Sequence, residues 1–214
     1  MWQLHQFQLC PFSRKVRLVL GEKGVAYALV REHPWERRDE FRLMNPAGRT
    51  PVLADPERGL VLADSRAIAE YLDETVERPA LISGTGDYRA EIRRLVAWFD
   101  ENFYADVAGP LLAERMLKRL QRQSPDGQVL RQAMRNAKEY LDYADWLIDH
   151  RSWLAGATMS MADLAAAAQI SVADYLGGID WTGHDQTRAW YAMMKSRPSF
   201  RPLLAERMEG IAPP

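Results

Sequence analysis

The run Asn45-Pro46-Ala47-Gly48-Arg49-Thr50-Pro51-Val52-Leu53, followed further on by Asp64-Ser65, decides how the first third of the chain is read. Proline lacks a backbone donor, so Pro51 is poor inside a strand but tolerable as its first residue, ahead of the apolar Val52 to Ala54. An X-Pro bond at a strand entrance can be cis, which redirects the chain. Such a turn leaves the Thr50 backbone facing a cleft, where an extended peptide can pair as an added strand. Ser65 is a good N-cap for the helical run Arg66 to Leu72, and helix starts collect carboxylates and phosphates. Together these features describe a pocket for a short acidic peptide. A plain strand, hairpin and capped helix accounts for the same residues at least as well.

Working outward, Val52 to Ala54 and Leu60 to Leu62 flank Asp55-Pro56-Glu57-Arg58-Gly59 as a hairpin. Upstream, Trp2 to Phe7 reads as a strand and Ala26 to Val30 as a second. Between them Val16, Val19 and Leu20 have helical spacing over Ser13 to Lys23, with Gly24 as a left-handed stop. Trp35 to Met44 is a short charged helix or turn, and Ser65 to Thr75 a third helix. The order predicts an α/β, thioredoxin-like domain with a mixed sheet over residues 1–77, then a linker over 78–86 rich in turn formers.

Residues 87–214 read as an all-helical domain. Ile92, Leu95, Val96, Phe99 and Phe103 keep helical spacing, as do Leu130, Met134, Ala137, Leu141, Ala144 and Ile148, with Ser124-Pro125-Asp126-Gly127 as the break between them. Ser160-Met161-Ala162-Asp163 has the form of a capping box for the apolar helix Leu164 to Tyr175. Trp190, Met193 and Met194 mark a further helix ending near Arg197-Pro198, and a last short one spans Ser199 to about Arg207.

With 214 residues and 47% hydrophobic content, the chain suits one large or two modest domains. The net charge of -1 points neither to nucleic acid nor to an anionic membrane. No apolar run approaches the roughly 20 residues of a membrane span. The N-terminus lacks a signal peptide's regions and Cys10 is the single cysteine, so a cytoplasmic protein is expected. His5, His33, His150 and His184 are scattered without metal-ligand spacing, and no metal is expected.

Three motifs, in this order and spacing, resemble the glutathione transferase fold across essentially the whole chain. They are Asn45-Pro46-x-Gly48-x-x-Pro51-Val52-Leu53, Asp64-Ser65 with Ala67-Ile68-x-x-Tyr71-Leu72, and Gly156-x-x-x-Ser160-x-x-Asp163-Leu164. The resemblance implies a cis Pro51, Thr50 pairing with a glutathione backbone, and Asp64 and Ser65 holding its γ-glutamyl end. It implies a folding role for Ser160 and Asp163, and a homodimer. Glutathione is then a possible substrate or ligand, with no cofactor required. Val30 to Arg38, Phe99 to Tyr104, Asp174 to Gly177 and Trp190 to Leu204 resemble more narrowly an alphaproteobacterial cell-division branch of the fold. That branch implies a scaffold that binds filaments of the tubulin-like FtsZ. In it a short tail follows the region matching Ile211-Ala212-Pro213-Pro214, where this chain stops.

Two residue sets then carry the functional alternatives. Cys10-Pro11-Phe12 stands between the first strand and the first helix, where the helix dipole favours a thiolate, with Arg14 and Lys15 adding positive potential. By resemblance this is the omega-class position, where cysteine forms a mixed disulfide with glutathione. The other reading of Cys10 is a small half-buried residue in a retired pocket. Ser13 is a fallback hydroxyl or a cap for the same helix. The second set is basic: Pro110 to Lys138 holds seven basic residues and two acids. Arg115, Lys118, Arg119 and Arg122 recur at helical spacing and are expected on one face, able to meet an acidic partner surface or simply solvated. Trp35, beside Arg37 and Arg38, is either an exposed binding residue or packed beneath its loop, and Trp181 carries the same alternatives.

Overall fold

Four short strands build one sheet in the order β2-β1-β3-β4: β1 (Trp2–Gln6), β2 (Tyr27–Arg31), β3 (Val52–Asp55) and β4 (Leu60–Ala63). β1 and β2 are parallel, while β3 runs antiparallel to both β1 and β4, so the sheet is mixed as expected. Helix α1 (Pro11–Glu22) and α3 (Ser65–Thr75) pack together, and the short α2 (Asp39–Met44) follows a single tight turn at Pro34–Glu36. Trp35 to Met44 is therefore a turn and a helix separated by Arg37, whose left-handed backbone (φ 52°) interrupts the run. The computed structural model describes residues 1–208, so Ile211-Ala212-Pro213-Pro214 lies outside the described residues. The Thr50–Pro51 and Arg78–Pro79 bonds are both cis.

The chain divides into two units. One joins Met1–Ala80 to Pro198–Glu206; the other runs from Leu81 to Arg197 and takes up Arg207 and Met208. The sequence boundary at residue 87 left the C-terminal segment in the helical domain, whereas Pro198–Glu206, with helix α8 (Arg201–Ala205), groups with the sheet. The cause is local. A Cβ on Gly21 would stand 2.8 Å from the Ser199 Cβ, so only glycine lets the returning backbone lie this close to α1. Ser199 Oγ donates to Glu22 at 2.5 Å, and the nearly sealed Arg17 guanidinium meets Glu206 at 2.6 Å. Just past the same end of α1, buried Lys23 donates to Val76 O and pairs with Asp73, both at 2.6 Å.

In the helical unit one continuous helix, α4, covers residues 86–120. It is widened to five-residue hydrogen bonding over Trp98–Ala108 and Ala113–Leu117. It is followed by α5 (Gly127–His150), α6 (Met161–Tyr175) and α7 (Asp185–Ser196). Met161 to Ala173 is buried on every side, which explains why α6 reads as uniformly apolar.

Two carboxylates hold this unit together. Asp163 is fully buried and accepts from Leu154 N, Ser160 N, Ser160 Oγ and the Trp190 indole, so the expected capping box also ties a loop and α7 to α6. Burial pushes its carboxyl up, opposed by those donors. Asp145 of α5 accepts from Thr187 N and Thr187 Oγ1 and pairs with buried His184 at 2.7 Å, capping α7 from a neighbouring helix. Removing Asp163 leaves four donors unpaired in the interior. Asp163→Ala is expected to lower unfolding free energy by about 3 kcal/mol, against about 1 kcal/mol for Ser160→Ala, as read from urea midpoints at constant slope.

Candidate functional site

The strand pairing places the predicted site residues together. His5 lies opposite Val52, and Val52 opposite Ala63, so the end of β1, the start of β3 and the end of β4 share one edge of the sheet. Parallel pairing of Gln6 with Arg31 adds the end of β2 to it. Cys10 follows β1, the segment from Glu32 to Arg38 follows β2, Thr50-Pro51 precedes β3, and Asp64-Ser65 follows β4. Ligand crevices form at such strand ends because the connecting loops splay apart there.

Cys10 is the residue just before α1, with Pro11 opening the helix as expected. It is half-buried, and its Sγ approaches Thr50 O at 3.5 Å, a direct link between two residues forty positions apart. Arg14 is buried and donates to Gln8 O at 2.9 Å, and Lys15 is fully buried, so neither extends into a cleft as a free cation. Ser13 is also fully buried, and it makes no capping hydrogen bond, so it presents no reactive hydroxyl. That corrects its role as fallback nucleophile or cap: the third residue of α1 faces the interior.

Thr50 is positioned by Asn45. The Asn45 amide donates to Arg49 O at 2.7 Å and its Oδ1 accepts from Ala47 N, while Gly48 N returns to Asn45 O with a left-handed φ of 63°. Asp64, not Ser65, caps α3: its Oδ1 accepts from Arg66 N at 2.8 Å and Ala67 N at 3.2 Å. A carboxylate is the stronger acceptor and sits at the positive end of the helix, and Ser65 becomes the first, buried helical residue. The set offers a thiol, a strand entrance and a carboxylate beside a helix start.

Beside this lies a cavity of about 240 Å³ lined by Glu32, His33, Trp35, Arg37, Arg38 and Arg42, among others. Glu32 is buried, bound by His5 Nδ1 at 3.0 Å and by Arg38 at 3.4 Å. Arg37 and Arg42 form no ion pair among the described residues, which leaves the rim positive. Trp35 is both packed and partly exposed. It packs edge-on against Phe7 at 5.1 Å and stacks on His33 at 5.0 Å, yet remains 41% exposed. Trp181 is resolved the other way, its indole bonded to Asp174 and its ring stacked on Tyr191.

The basic set in the helical unit is split. Arg115 turns back to donate to Leu176 O, and Lys118 pairs with Glu114 at 2.6 Å. Glu114 also accepts from Asp126 N at 2.6 Å, and these two contacts hold its carboxyl below the usual range. Of the four expected on one face, Arg119 and Arg122 stay exposed without an ion pair among the described residues. The regular spacing behind the expected common face is interrupted by the widened turn at Ala113–Leu117, and the chain leaves the helix at Gln121, with Arg122 left-handed (φ 57°). Among the described residues, no group of three His, Cys, Asp or Glu could hold a metal ion, and no helix is long and apolar enough to cross a membrane.

Similarities to known proteins agree with this geometry. Residues 4–80 match the family described as glutathione S-transferase, N-terminal domain. The chain is 46% identical to FtsZ-localized protein A of Caulobacter vibrioides, over 98% of this chain and 93% of that one. The structure of FzlA from C. crescentus superposes with a TM-score of 0.96 at 45% identity, covering 100% of this chain and 96% of that one. A glutathione S-transferase from Rhodospirillum rubrum F11 superposes with a TM-score of 0.97 at 46% identity, with the same coverage.

Proposed function

The chain belongs to the glutathione S-transferase family, and on that premise we propose that it is a cytoplasmic adaptor that binds FtsZ filaments in bacterial cell division rather than a transferase. One observation carries this reading: 46% identity to FtsZ-localized protein A extends over 98% of the chain, so the likeness takes in the helical part as well as the sheet. The surfaces agree with an acidic partner. Trp35 is a rigidly seated, partly exposed ring beside unpaired Arg37 and Arg42, the composition of an interface hot spot. Arg119 and Arg122 add unpaired charge, while Arg115 and Lys118 serve the fold.

The adaptor is proposed to act as a homodimer, because two sites on one particle strengthen attachment to a polymer. The surface suited to this is the aromatic row on α5. Trp146 is 52% exposed and stacks parallel to Tyr143, with the His150 ring 5.0 Å from it and Arg94 over Tyr143.

A second reading, in which the site takes glutathione, rests on Cys10 Sγ lying 3.5 Å from Thr50 O. In it, the Cys10 thiolate attacks a glutathione mixed disulfide, forming Cys10–S–S–glutathione and releasing the other thiolate. A second glutathione thiolate then attacks that bond, leaving as oxidised glutathione and restoring Cys10.

Co-sedimentation with assembled FtsZ should fall steeply as salt rises from about 0.05 to about 0.3 M, and Trp35→Ala should weaken it about tenfold; binding that ignores salt sinks the adaptor reading. Calorimetry with glutathione separates the second reading: turnover of a mixed disulfide that disappears in Cys10→Ala supports it, and absence of binding removes it. Sedimentation velocity should show a dimer that Trp146→Glu converts to monomer; an unchanged dimer excludes the aromatic row as its contact.

A further inference from the structure

Arg119 through Val129 are all exposed, the longest uninterrupted exposed run among the described residues. The run is the closed end of a helical hairpin, from the last turn of α4 to the first of α5. Its apolar members stand out: Leu120 is 47% exposed and Val129 36%. Around them are Arg119 and Arg122, with Arg131 and Arg135 on the first turns of α5. The side chains of Arg119, Arg122 and Arg131 make no hydrogen bond or ion pair among the described residues, although Arg131 lies near enough to attract the Asp126 carboxylate, and the Arg135 side chain meets only the neutral Gln132. The single acid of the run, Asp126, is exposed but engaged as the cap of α5, accepting from Gln128 N and Val129 N. Those two donors hold its carboxyl below the usual range, so it remains ionised and engaged with the helix start.

The end is also built to keep its shape. Glu114 grips Asp126 N and Lys118 together, and Gln123 N donates to Lys118 O at 2.7 Å, fixing the loop against the helix that precedes it. Side chains on a fixed loop lose little freedom on binding, which favours recognition. Exposed at the closed end of the hairpin and carrying both apolar and cationic side chains, this run is suited to enter a hollow as a knob.

We propose that the hairpin end bearing Arg119, Leu120, Arg122, Val129, Arg131 and Arg135 is a docking knob for an apolar hollow rimmed with carboxylates on a protein partner. The proposal rests on the adaptor reading, and names the surface and the partner chemistry that reading leaves open. Arginine suits such a rim because its planar fork engages a carboxylate through two parallel hydrogen bonds. Leu120 and Val129 supply the desolvated centre, which discriminates this mode from general attraction to an acidic filament.

The test compares three forms of the full chain by co-sedimentation with assembled FtsZ. The forms are unaltered protein, Arg119→Glu with Arg122→Glu, and Leu120→Ser, each checked by circular dichroism. All three positions are exposed, so the fold is expected to survive. Binding should fall about a hundredfold for the double charge reversal and about fivefold for Leu120→Ser. Lys138→Glu, on the same helix but already paired with Asp142, should change it less than about twofold. Equal binding by all variants, with salt-sensitive binding of the unaltered protein, overturns the knob and leaves the adaptor reading standing. Failure of the unaltered protein to co-sediment overturns both. Flotation with phosphatidylglycerol vesicles that is lost in the same variants while FtsZ binding persists would assign the knob to a lipid surface and overturn the proposal.

Discussion

Antiparallel insertion of β3 between β1 and β4 is the constraint on which the site depends. Leu4 pairs with Leu53 and Leu53 with Leu62, and all four residues of β3 are buried, so a one-residue slip would exchange the side chains it presents to its two packed faces. With that register set, four loops from distant parts of the sequence must emerge at one edge. Cys10 reaches Thr50 through no contact between their own elements' helices. It does so because the strands they border are hydrogen-bonded neighbours. The chemistry of the site is thus a by-product of apolar pairing one layer below it.

The first helix shows how ionic contacts then specify what packs around that sheet. Burying a guanidinium or ammonium costs more than a single pair returns unless its partner is well placed. Arg17 with Glu206, and Lys23 with Asp73, are therefore selective contacts more than strong ones: each tolerates a single arrangement of the segment it meets. They explain why a C-terminal segment remote in sequence joins the sheet, and why Gly21 stands where that segment crosses. In the helical unit Asp163 and Asp145 act alike, each satisfying the free donors of a helix start while reaching to a second element.

Much of this was legible in the residues. The hairpin around Asp55 to Gly59, the helix opened by Pro11 and the capping box at Ser160 and Asp163 follow from local chemistry, and each occurs where that chemistry puts it. Local rules failed where two groups compete for one task. Both Asp64 and Ser65 are good caps, and the carboxylate holds the position. Arg115 to Arg122 reads as one face only if every turn has the same width, and here the turn at Ala113–Leu117 is wider and the helix stops before the left-handed Arg122.

By itself the sequence determined the alternation of strands and helices, the identity of the strand entrance at Pro51, and the excess of positive charge after Pro110. These depend on backbone stereochemistry and side-chain periodicity within a few residues. Tertiary structure alone decided which charges remain available. Arg115, Lys118, Arg14 and Lys15 look equivalent to Arg119 and Arg122 as letters, but burial or a nearby acceptor engages the first four and leaves the last two in water. A cation's availability depends on what lies within a few ångströms in space, and periodicity along the chain carries no record of that.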